Sequence, residues 1–158
     1  MTSRTAIKFN DLHDVPFGSL SPLSPHPVTV RHQTYPSLNH YFQSQRFAGS
    51  PLEADLRNAT SLWELDRLTR KAEDAHYQVQ DWDSLKPDVM LLGNYFKFRQ
   101  NGDALTVLQQ TSSKVIVYHN TDNFWGDGGD GTGKNLLGVV LMATRKRLLS
   151  EDKSKKAR

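Results

Sequence analysis

The sequence predicts an α+β fold, mostly helical with a few short strands. Three observations carry this. Apolar residues recur every three to four positions in several segments after Pro36, the repeat of an amphipathic helix. β-Branched residues at strand spacing are confined to short stretches, which limits the strands in number and length. A chain of 158 residues is about the size of one domain and can bury a core without staples. The expectation is a single compact domain over residues 1–149 and a disordered basic tail over 150–158.

The first 35 residues read as extended and turn-rich. Ala6–Phe9 alternates briefly, and Val28–Tyr35 carries β-branched residues at strand spacing. Between them Pro16, Gly18, Pro22, Pro25 and Pro27 forbid a helix interior and mark an ordered loop or a linker. From Pro36 the period changes: Leu38, Tyr41, Phe42 and Gln45 share a helical face, and Gly49 closes a helix over roughly 36–48. A second, short helix follows Pro51. Ser61-x-x-Glu64 is a capping-box pattern, and Leu62, Leu65, Leu68 and Ala72 continue it through about four turns. Trp82 precedes a helix in which Val89, Leu92 and Phe96 form a stripe widened by Met90 and Leu91, which puts this helix near the centre of the core. Gly93 either weakens it or permits close packing. Asp103 caps a further helix through Gln110, and Lys114–Tyr118 is a buried strand. Leu136–Leu149 ends the fold as an amphipathic helix with Leu137, Val140, Leu141 and Leu148 on its apolar side.

Composition removes whole classes of chemistry. With no cysteine there is no disulfide framework, no Cys-ligated zinc or iron–sulfur site and no thiolate nucleophile. No apolar run approaches the ~18–20 residues of a membrane span. Met1–Phe9 lacks the apolar stretch of a secretory signal, so an intracellular location, cytoplasmic or nuclear, is expected. The net charge of +3 is uneven: Arg145–Arg158 holds seven basic and two acidic residues, which leaves the body mildly acidic. Such a tail attracts phosphates by counterion release, or is simply solvated.

The most unusual segment is Asp122–Asn135, which holds half of the ten glycines. Glycine lets backbone approach a ligand closely and turn N–H groups inward just before a helix, as phosphate loops do. Gly126, Gly128 and Gly131 satisfy GxGxxG, and Gly128–Lys134 begins a Walker A pattern, but Asn135 stands where a magnesium-binding hydroxyl belongs. The plainer reading is a long connector. His40 and His76 lack partners at metal-ligand spacing, and no metal site is expected. Trp82 and Trp125 flank Asp81, Asp83 and Asp127, so aromatic faces suited to stacking a base lie beside carboxylates; core anchoring is the alternative. Lys97 lies in the apolar run Tyr95–Phe98, where desolvation favours a neutral, nucleophilic amine and snorkelling is the alternative.

Six ordered blocks resemble one family: Phe17–Ser21, Tyr35–Phe47, Asp81–Asp83, Lys97–Phe98, Phe124–Gly128 and Gly133–Gly138. Together they resemble the NADAR or YbiA-like domain, over about Lys8–Leu149. The resemblance implies a YbiA-like α+β domain that handles ADP-ribose- or NAD-like ligands, needs no cofactor and cleaves N-glycosidic bonds. Family members remove ADP-ribose from guanine bases, some alongside a DNA ADP-ribosyltransferase, or act on phosphoribosylated riboflavin-pathway intermediates. The implied partners are an ADP-ribosylated guanine nucleotide or nucleic acid, with no membrane. One position departs from the family: its helix block usually reads Trp-Pro-Thr-x-Glu-His-Tyr, and the glutamate is Asn39 here. Asn is no general base. Lys97, by capturing an opened ribosyl aldehyde as a Schiff base, and Asp127, on a loop expected to meet the ribose, are the candidates to supply the missing chemistry. The resemblance further implies ligand contacts from Ser21, His40, Trp82, Trp125, Gly126, Gly128 and Asn135. A protein that binds ADP-ribose or NAD without turnover is the alternative that Asn39 raises.

Overall fold

A computed structural model describes residues 5–157; residues 1–4 of the expected domain and Arg158 of the expected tail lie outside the described residues. Contacts group the chain into two compact units, Met1–Ser21 with Asn101–Arg158, and Pro22–Gln100.

In the first unit, strand β1 (Ile7–Phe9) pairs in parallel with β4 (Ile116–Tyr118), Ile7 against Ile116 and Phe9 against Tyr118. The ladder extends by Ile7 N–H to Val115 O and His119 N–H to Phe9 O, both 2.8 Å, and the Phe9 and Tyr118 rings stack at 5.2 Å. Val115, at 48% exposure, sits outside the buried strand expected from Lys114. Phe17–Leu20 forms a 3-10 turn against which α5 (Gly102–Gln110) packs. Asn101, not Asp103, holds the N-cap position of α5. Helix α6 (Leu136–Lys156) runs well past Leu149, so the segment expected to be disordered is helical through Lys156. Opposite charges one turn apart explain why: Arg147 pairs with Glu151 at 3.6 Å and Lys156 with Asp152 at 3.0 Å.

In the second unit, Val28–Tyr35 folds as a tight antiparallel hairpin, β2 (Val28–Val30) with β3 (Gln33–Tyr35). Its two turn residues, Arg31 and His32, both have positive φ, 51° and 68°, as the twist of a two-residue hairpin requires. Ser37 caps α1 (Leu38–Arg46), and the short α2 (Glu53–Arg57) follows Pro51. Helix α3 (Leu62–Asp74) starts as its pattern predicts, with Ser61 Oγ accepting Glu64 N–H at 3.0 Å. The Glu64 carboxylate reaches Thr60 N–H and Oγ instead of closing the box on Ser61. Phe47, Leu52, Leu56, Ala59, Leu65, Leu68 and Ala72 form a core around α2 and α3.

Helix α4 (Trp82–Gln100) corrects the expected stripe. Its buried residues are Trp82, Met90, Gly93, Asn94, Tyr95, Lys97 and Phe98, whereas Leu91 and Leu92 are 37% and 38% exposed. The face that packs holds a glycine, an amide and an amine, so hydrophobicity alone points to the wrong side. Gly93 brings α4 onto α1: a Cβ there would collide with Leu38 Cδ1 and with Tyr41 Cδ1. Gly93→Ala therefore should destabilise the protein by about 1–3 kcal/mol despite alanine's better helix propensity. Urea unfolding checks this, and a gain in midpoint would contradict it.

Candidate active site

Helix α1 places Asn39, Gln43 and Arg46 on one side at i, i+4 and i+7. Asn39 N–H donates to Pro22 O at 3.0 Å, and its Oδ1 accepts from Gln43 Nε2 at 3.4 Å. Arg46 pairs with Glu73 at 2.9 Å, donates to Gln78 at 2.9 Å and lies over the Phe47 ring. The row is half-buried and polar.

His40 points the other way, into the protein. It is buried; Nδ1 meets Ser37 Oγ at 2.7 Å, and Nε2 meets Ala59 O at 3.0 Å. A neutral ring fits both: the hydroxyl donates to Nδ1, and Nε2–H donates to the carbonyl. With both nitrogens used by the chain, His40 fastens the α1 cap to the segment before α3, and the expected substrate contact is not available to it. Trp82 is also interior, 5% exposed and edge-on to Phe42 with centroids 5.0 Å apart. Its face covers core rather than a base. Lys97 is fully buried, its Nζ 5.0 Å from the Phe98 ring centre. One turn before it, the buried Asn94 donates to Met90 O at 2.9 Å, while its Oδ1 has no hydrogen-bond partner.

The glycine loop is a self-contained knot. Asp122 Oδ1 accepts the N–H groups of Phe124 and Trp125 at 2.8 and 2.7 Å. The N–H of Gly128 donates to Asp122 O, those of Gly131 and Gly133 to Asp127 O, and that of Asn135 to Gly126 O. Leu136 and Leu137, at the start of α6, donate to Phe124 O and Trp125 O. These N–H groups are consumed within the loop, so the phosphate-cradle expectation does not hold. The Asn135 side chain is committed as well: Oδ1 accepts Tyr118 N–H at 2.8 Å and Nδ2 donates to Ile116 O at 2.9 Å, as a neighbouring strand would. Gly138 is required beneath it, because a Cβ would collide with Ile116 O and the Asn135 amide. Trp125 is half-buried, and its ring meets Phe124 edge-on at 4.8 Å. Ser21 is buried at the end of the 3-10 turn, its N–H on Gly18 O.

Asp127 is the hub of this loop. Oδ2 lies 2.9 Å from His119 Nδ1, and Oδ1 accepts from Gly129 N–H at 2.9 Å and Asn120 N–H at 3.3 Å. The His119 hydrogen bond first, then the Gly129 N–H, hold its carboxyl below the usual range, so Asp127 stays ionised. His119, with a half-exposed side chain, is the group that reading the sequence missed. Two cavities, of about 500 Å³ beside Tyr35 and Tyr41 and about 370 Å³ beside Leu108 and Arg145, are lined by none of the expected site residues. Among the described residues no cluster of three or more His, Asp or Glu side chains could hold a metal ion, and no helix is long and apolar enough to cross a membrane.

Comparison with known proteins gives this arrangement its class. The chain is 33% identical to the N-glycosidase YbiA of Shigella flexneri over 148 residues, 93% of this chain and 91% of that protein. It is 35% identical over 132 residues to a riboflavin biosynthesis protein of Vibrio vulnificus, VVA0006, covering 83% of this chain and 35% of that one. The NMR structure of the E. coli protein YbiA superposes with a TM-score of 0.83 at 31% identity, over 96% of this chain and 89% of that chain. The protein is accordingly an enzyme of the N-glycosidic hydrolase class. It belongs to the NADAR domain family, whose profile matches residues 8–149.

The buried His40 makes stability pH-dependent. Burial lowers its pKa, opposed by the Ala59 carbonyl. The unfolded chain, titrating near about 6.5, then takes up the proton first. This contribution is full above that pH and is lost as pH falls through the lowered folded value. His40→Gln should flatten stability against pH over that window in urea titrations; an unchanged slope would remove His40 from the account.

Proposed function

We propose that the bond cleaved joins ADP-ribose to guanine in nucleic acid, releasing ADP-ribose and restoring the base. The observation that carries this reading is α6: beyond Arg145 it presents Lys146, Arg147, Lys153, Lys155 and Lys156 on a continuous helix, a cationic arm suited to phosphates. Water is the only co-substrate, so no cofactor is called for. A DNA ADP-ribosyltransferase is the kind of enzyme that would supply the substrate.

Lys97 is the amine nucleophile in this reading. Its Nζ bonds to C1′ as the base leaves with the bond's electron pair; ring opening gives an imine, which water hydrolyses. Complete burial means that substrate has to part the packing over Lys97. Asn39 offers only hydrogen bonds to the ribose, and Trp125 offers an aromatic face. A phosphoribosylated riboflavin-pathway intermediate is the second reading, supported by the name of the Vibrio vulnificus relative.

The test is release of ADP-ribose from an ADP-ribosylated guanine oligonucleotide beside a phosphoribosylated aminopyrimidine. Release from the first alone is expected; release from the second alone would transfer the function to the metabolite, and tight ADP-ribose binding without release would make the protein a sensor. Lys97→Met, which keeps volume, should abolish turnover and spare ADP-ribose affinity; full activity would eliminate the imine. Deleting Glu151–Arg158 should flatten the salt dependence of oligonucleotide binding, measured by anisotropy, and an unchanged slope would separate α6 from recognition.

A further inference from the structure

We infer that His119, oriented by Asp127, is the proton-transfer residue of the hydrolysis, an assignment that rests on the reading above. The reaction needs a group that takes a proton from water and gives one to the departing nitrogen. Asn39 has no proton to exchange at neutral pH. Asp127, although a carboxylate within the glycine loop, already accepts three hydrogen bonds and stays ionised, which leaves it unsuited to relay protons itself.

His119 is built differently. Its main chain is fixed by the N–H bond to Phe9 O at 2.8 Å, immediately after the carboxyl end of β4. Its Nδ1 is turned onto Asp127 Oδ2 at 2.9 Å, so the neutral ring carries its proton on Nδ1 and presents Nε2 as the base. Asp127 does not need this contact to close the loop, because Gly129 and Asn120 N–H groups hold its other oxygen. The contact therefore serves the imidazole: it sets the tautomer and stabilises the imidazolium that proton uptake creates. The surroundings agree. Asn10, after the carboxyl end of β1, accepts from Asn120 Nδ2 at 3.0 Å, so polar side chains collect where the parallel strands end, the side on which parallel sheets bind ligands. Carboxylates act on this corner: Asp127 on His119, and Asp122 and Asp11 on the adjoining Tyr118, whose phenol is kept protonated by burial first and by these charges next.

The proton balance closes. The nucleophile that bonds to C1′ gives a proton to Nε2 as the electron pair of the broken bond goes to the departing nitrogen, and the imidazolium returns that proton there, leaving His119 neutral.

His119→Gln, which keeps a polar side chain at the corner, tests this on the guanine substrate. A fall in kcat of about 10²–10⁴-fold, little change in KM, loss of the acid limb of the kcat–pH profile and partial rescue by added imidazole are expected. Asp127→Asn should lower kcat in the same direction. Wild-type kcat and an unaltered pH profile in a folded His119→Gln protein would overturn the inference alone. A wild type inactive on both substrates would overturn the hydrolase reading, and this inference with it.

Discussion

The Asn135 side chain holds the candidate site together. Its amide bridges Tyr118 N–H and Ile116 O, completing the open edge of β4 from seventeen residues further along the chain. An isolated three-residue strand has little reason to stay extended, since its unpaired edge groups are otherwise left to water. The amide satisfies that edge and brings the start of α6 against the strand it follows. Residues 119–134 are thereby closed at both ends, and Asp127, in the middle, folds back onto His119. The second unit repeats the device: Gln100, at the end of α4, donates to Thr29 O and accepts Thr29 N–H, both at 2.8 Å, along the edge of β2.

Much of the polar chemistry expected to meet a ligand is thus directed inward. His40 fastens one helix cap to another segment, Trp82 covers Phe42, and the glycine loop spends its N–H groups on itself. Glycine there permits a tight knot rather than a cradle. What keeps an open side or an orphaned atom is the half-exposed His119 imidazole, the half-buried Asn39–Gln43–Arg46 row and the buried Asn94 Oδ1 on α4.

What the sequence disclosed follows the range of the interactions. Caps and periods are local, so α3 begins where Ser61 places it, α1 lies within the span its period marks, and a strand around Ile116 was evident from its β-branched run, although not its parallel pairing. The buried side of α4 was hidden because Gly93, Asn94 and Lys97 lie on it, and a helix is read by its apolar residues. The helical extension to Lys156 was hidden because a basic, apolar-poor segment looks like a tail until its charges are counted at i, i+4. The family blocks led to Asp127 but not to His119, whose pairing depends on a turn that reverses the chain between residues eight apart. Asn135 was placed correctly as a special residue and misassigned to a ligand, because its partners are main-chain atoms that only the folded strand presents.

The account stands on the claim that Asn135 holds His119 and Asp127 in register. The direct measurement is the downfield proton NMR signal of a histidine Nδ1–H bonded to a carboxylate, assigned with His119→Gln and recorded for wild type and Asn135→Ala. The signal is expected in the wild type and should vanish in Asn135→Ala while dispersed methyl resonances show that the rest stays folded. A wild type without the signal, or a variant that retains it, would contradict the account.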